Sequence, residues 1–136
     1  MTRTLHFHVG LPKCGSSSLQ SFFAANRDAL KKHGVHYPKL SERSIGNATP
    51  FTRSFGTSER QDVFEHYNPG YDAQSARAAF LETLNDRTSD QMLFSSEGLN
   101  RYFMREGLGT MGEGFDAVIV HLFIRPRAAW LLSHYT

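Results

Sequence analysis

The stretch Thr4-Leu-His-Phe-His-Val9, Gly10-Leu-Pro-Lys-Cys-Gly15, Ser16-Ser17-Ser18 decides the fold. Residues 4–9 are short, β-prone and alternating, which predicts a strand. Gly10–Gly15 contains Pro12 and two glycines and predicts a turn. From Ser16 a helical stripe begins, with Leu19, Phe22, Phe23 and Leu30 on one face, and the spacing predicts a helix to His33-Gly34. Val35-His36-Tyr37 follows as a short second strand. Strand, glycine loop, helix and strand in that order open a parallel α/β sheet.

The loop itself has the Gly-x4-Gly spacing of a phosphate-binding turn. Glycines let backbone N–H groups turn inward toward an oxyanion, and the next helix adds its free N–H groups and positive dipole end. Ser16, Ser17 and Ser18 supply hydroxyls at that helix end. The loop departs from the nucleotide-triphosphatase pattern: Ser16 stands where that pattern has Lys, and the lysine lies inside the turn at Lys13. A Cys-x5-Arg phosphatase loop would need Arg at position 20, where the residue is Gln20. Cys14 therefore reads as a small loop residue rather than a nucleophile.

Farther along, residues 38–71 show weak periodicity and many Gly, Pro, Asn, Ser and Thr. They read as an irregular insertion or substrate-side region, with a short helix around Ser58–His66. Asp72 is placed to cap a helix over Ala73–Arg87, with Ala76, Phe80 and Leu84 on one stripe. Gln91–Ser95 reads as a third strand and Glu97–Arg105 as a short helix. Gly107–Gly114, with four glycines, reads as a turn. Ala117–Ile124 is almost continuously apolar, as expected for a strand buried on both faces. Arg125-Pro126 ends it, and Arg127–Tyr135 begins a helix.

The chain has 136 residues, 40% apolar and 21% charged, which suits one folded domain over 1–136. Fifteen basic groups against thirteen acidic ones are too even to announce a nucleic-acid binder. Residues 1–40 carry six basic groups and one acidic, a local excess that points to an anionic ligand near the loop. One cysteine excludes an intrachain disulfide framework. No apolar run reaches the length of a membrane span and no signal-peptide core is present, so a cytoplasmic protein is expected. The stop at Thr136, barely two turns into a helix, suggests a domain incomplete at its C-terminus. An uncovered sheet surface is then expected, with homo-oligomer formation through it.

HVGLPKCGSSSLQSFF resembles the 5′-phosphosulfate loop of sulfotransferases that use 3′-phosphoadenosine 5′-phosphosulfate (PAPS). FIRPRAAWLLSHY resembles the same family's 3′-phosphate motif, an apolar strand ending in Arg with a Ser eight residues on. The resemblance covers residues 4–37 and 91–135 and implies a three-layer parallel α/β sheet of P-loop, sulfotransferase-like topology. It implies PAPS as co-substrate, with no metal. Lys13 would meet the phosphosulfate and the charge growing on the bridging oxygen. Cys14, Gly15, Ser16, Ser17 and Ser18 would line the 5′-phosphate, and Arg125 and Ser133 would hold the 3′-phosphate.

Sulfuryl transfer to a hydroxyl or amine needs a base for the acceptor proton. Glu97, after the third strand, is the candidate; its rival reading is a first-turn acid of the next helix. His36 and His66 are reserve bases. His6 and His8 share a strand face without a third ligand nearby in sequence, and read, like His121, as polar groups of a core strand. The acceptor is unspecified, a glycan being one class. Two other functions fit the sequence: a P-loop nucleotide kinase, which would want a lysine after the second glycine, and a truncated, non-catalytic nucleotide-binding domain.

Overall fold

The computed structural model describes residues 2–10, 13–40, 47–56, 58–97 and 104–133. Four strands, β1 (Thr4–His8), β2 (Val35–His36), β3 (Gln91–Ser95) and β4 (Ala117–His121), form one parallel sheet in the order β2-β3-β1-β4. The helices are α1 (Ser16–Ala25), α2 (Arg27–Lys32), α3 (Thr49–Arg53), α4 (Ser58–Tyr67), α5 (Ala73–Leu84), α6 (Met104–Gly112) and α7 (Arg127–Leu132). The fold is α/β, as expected.

The alternation in β1 sends Leu5, Phe7 and Val9 to one face and His6 and His8 to the other. On the first face Phe80 of α5 packs against Phe94, Phe51 and Phe55, and Phe7 stacks on Phe94. Leu84, Met92 and Met111 complete this buried cluster. Burying each large side chain contributes about 1.5–3 kcal/mol, so this face supplies most of the apolar stabilisation. Asp72 caps α5 as expected, its carboxylate accepting from the Ser75 N–H at 2.8 Å. Arg3 bolts the amino edge together, donating to the carbonyls of Leu84, Asp86 and Gly114. Its guanidinium lies 3.9 Å from the centre of the Phe115 ring.

Several expectations need correction. The first helix is two: Asn26 leaves helical geometry and its side-chain amide donates to the Phe22 carbonyl at 2.7 Å, closing α1. The stripe assigned to that helix does not close a core, since Phe22 is 57% exposed while Ser16 and Gln20 are buried. Within 38–71, α4 stands where a short helix is expected, but α3 is not expected, and Ala48 and Phe55 join the core. α5 stops at Leu84, short of Arg87. Gly107–Gly112 is helical, not a turn, and Gly107 lets α6 pack closely on Phe55 while the Met111 side chain of the same helix folds back over it. The helix expected over Glu97–Arg105 falls largely on residues outside those described. β4 ends at His121, and α7 at Leu132.

The largest correction concerns β4, which is the edge of the sheet among the described residues and is not buried on both faces. Ile119, Leu122, Phe123 and Ile124 are all exposed. An apolar edge strand without charge or proline offers unpaired backbone groups to any similar strand. The chain should therefore self-associate as concentration rises in size-exclusion chromatography with light scattering. Ile119→Lys should shift it toward monomer, whereas a monomer at all concentrations would contradict this exposure.

Candidate functional site

Parallel strands place all their carboxyl ends on one edge. From β1 the chain leaves toward β2, and from β3 it leaves across β1 toward β4. The two connections cross over opposite faces of the sheet, α1 and α2 on the His6 and His8 face and α6 on the Leu5 and Phe7 face, and adjacent strands that part in this way open a crevice between them, where α/β sheets receive ligands. Here the crevice lies between the ends of β1 and β3, where the glycine loop and Ser95-Ser96-Glu97 stand.

The loop turns on two left-handed residues, Lys13 at φ 64° and Gly15 at φ 84°. Gly15 adopts this conformation freely; Lys13 does so at a cost of order 1–3 kcal/mol, which the surrounding turn must offset. α1 begins immediately after, with no side-chain cap on its first N–H groups. The first carbonyl to receive an intrahelical bond is Gly15's, from the Leu19 N–H at 3.1 Å, so the N–H groups of Ser16, Ser17 and Ser18 remain available to a ligand. Ser16 is 2% exposed, and its hydroxyl has no partner. Lys13 and Ser17 are exposed, and Cys14 is a partly exposed free thiol. Such an array of free donors with a buried, unsatisfied hydroxyl fits a tetrahedral anion such as a phosphate.

The floor of the loop is polar and was not visible as a site in the sequence. His8 Nδ1 lies 2.8 Å from Ser95 Oγ, and the Gln20 amide donates to the same oxygen at 3.1 Å. Ser96 Oγ bonds Thr52 at 2.8 Å and Thr49 at 3.0 Å. The ladder continues past the strands, with the Ser96 N–H donating to the His8 carbonyl and the Val9 N–H to the His121 carbonyl. The only sequence signal for this layer is the polar character of His8, Gln20 and Ser95 at positions that periodicity turns inward.

Glu97 is partly buried at the crevice, two residues beyond β3. Arg125 is exposed, four residues beyond β4 on the other side of β1. Ser133 donates its hydroxyl to the Trp130 carbonyl at 2.7 Å, ending α7. The topology thus gathers the loop and Glu97 at one crevice, and sets Arg125 along the same sheet edge beyond the neighbouring strand. His66 lies on α4, and His36 faces Asp86 at 3.6 Å, at the end of the sheet opposite the loop.

Of the histidines on the second face, His8 is buried as expected, and His121 departs from expectation. His121 is an exposed edge residue, not a core one, and its ring stacks on His6 with 5.3 Å between centroids. His6 Nδ1 and His121 Nε2 are 3.0 Å apart. Burial, then the proximity of His121, holds both His6 and His8 below the ordinary imidazole pKa. Beside them a cavity of about 270 Å³ is lined by Phe23, Leu30, Leu93 and Phe123. Among the described residues no group of three or more His, Cys, Asp or Glu is arranged to hold a metal, and no helix is long and apolar enough to cross a membrane.

No protein-family model, curated protein or solved structure matches this chain.

Gly10 has no room for a side chain. A β-carbon there would stand 2.7 Å from His8 Nε2 and 3.0 Å from Ser16 Oγ. Gly10→Ala should cost about 1–3 kcal/mol of stability by overpacking. It should also weaken anion binding, measured by denaturant titration and calorimetry. A variant as stable as the parent, with unchanged anion affinity, would contradict this packing.

Proposed function

We propose that this protein is a sulfotransferase that moves a sulfuryl group from PAPS to a hydroxyl or amine acceptor. The observation that carries the reading is the loop after β1. It turns through left-handed Lys13 and Gly15 into α1 and leaves the buried Ser16 hydroxyl unpartnered among free N–H groups. The central position of the loop strand, between β3 and β4, agrees with a P-loop sheet. Ser16 in place of a lysine, and Lys13 inside the turn, favour sulfuryl over phosphoryl transfer.

PAPS supplies the activated sulfuryl group, and the chain supplies charge and proton handling. The N–H groups of Gly15–Ser18 and the Ser16 hydroxyl bind the 5′-phosphate. Lys13 stabilises negative charge as it grows on the departing phosphate oxygen, which acts on turnover more than on affinity. Glu97 accepts the proton that the acceptor loses. Arg125 binds the 3′-phosphate as a forked, permanent cation, with Ser133 beside it once its hydroxyl turns from Trp130.

Calorimetry with EDTA present should show 3′-phosphoadenosine 5′-phosphate binding more tightly than AMP or ATP. Arg125→Ala should weaken that binding about 10- to 150-fold, as for loss of a charge-assisted contact, and should leave AMP nearly unaffected. Equal affinity for AMP removes the case for a 3′-phosphate site. In single-turnover transfer, Glu97→Gln should slow the reaction about 10²–10⁴-fold with nucleotide affinity unchanged. Near-normal transfer by that variant would assign the base elsewhere.

A further inference from the structure

Two buried polar atoms meet at Gly10 without partners, His8 Nε2 and Ser16 Oγ. Both residues are 2% exposed. The protonation of His8 follows from its neighbours. Ser95 Oγ is fully buried and has two contacts, the Gln20 amide and His8 Nδ1. The contact is through the amide nitrogen, which can only donate. If Nδ1 also donated, the Ser95 hydroxyl proton would have no acceptor, which buried hydroxyls avoid. Ser95 therefore donates to Nδ1, and the neutral ring carries its proton on Nε2. That N–H and the rotatable Ser16 hydroxyl are two unpartnered donors that converge on Gly10 at the mouth of the loop. Two convergent buried donors without an acceptor call for an oxyanion.

We propose that His8 is a positioning residue of the loop, whose Nε2–H, set by the Gln20–Ser95–His8 relay, orients a bound tetrahedral oxyanion together with Ser16. The proposal rests on the reading of the loop as an anion site, and deepens it by naming the group that fixes the anion from below.

The test uses the full chain with ¹⁵N-labelled histidine, and inorganic sulfate and 3′-phosphoadenosine 5′-phosphate as probes. Long-range ¹H–¹⁵N spectra of the free protein should show His8 as the Nε2–H tautomer. Either anion should then shift its Nε2 signal in a saturable way. His8→Gln, whose amide nitrogen reaches the ε position, should keep affinity within about threefold, while His8→Asn, which reaches only the δ position, should lose about tenfold or more. The Nδ1–H tautomer in the free protein overturns the proposal even if the variants fail to fold. So do a His8 signal unmoved at saturation, equal affinities of the two variants, or failure of both anions to bind. If sulfate shifts His8 but the nucleotide binds no more tightly than sulfate, His8 keeps its role and the sulfotransferase reading fails.

Discussion

The carboxyl edge of the sheet depends on a missing carbon. Gly10 must lack a β-carbon because His8 Nε2 and Ser16 Oγ already surround the space it would fill. That one steric constraint lets the end of β1 and the start of α1 close together around Gly10. It also ties the loop to β3, since His8 is held through Ser95, its register partner on that strand. Loop, strand end and helix start thereby become one packed unit.

The two faces of the sheet divide the work. One is closed by aromatic packing around Phe80 and carries the stability. The other places His6, His8, Gln91 and Leu93 against α1 and α2, where packing is looser and a cavity remains. Polar residues on a central strand cost burial energy unless they are bonded. His8 meets that cost on its Nδ1 side through Ser95, and leaves Nε2 open. An unsatisfied group kept next to a glycine loop is the kind of local conflict that functional sites retain while the rest of a fold is consistent.

Much of this was legible in the chain. Gln91–Ser95 and the Asp72 cap stand where alternation and capping chemistry put them, and the glycine loop lies between a strand and a helix as its spacing requires. What misled was context. The apolar run Ala117–Ile124 carries the signature of a buried strand, but burial depends on which elements flank it, and among the described residues β4 pairs with β1 alone. The glycines of 107–114 suggest a turn, yet Gly107 serves close packing against Phe55, 52 residues away in the chain. The Gln20–Ser95–His8 relay joins three distant segments through single polar residues, a pattern that no local period encodes.

The central claim is that the Gly10–Ser18 loop receives an anion from the nucleotide in the crevice between β1 and β3. The most direct measurement is a crystal structure of the protein with 3′-phosphoadenosine 5′-phosphate. This account predicts the 5′-phosphate within hydrogen-bond distance of the Gly15–Ser18 N–H groups and the Ser16 hydroxyl. Nucleotide seated instead in the cavity beside His6 and Leu93, with the loop empty, would contradict it.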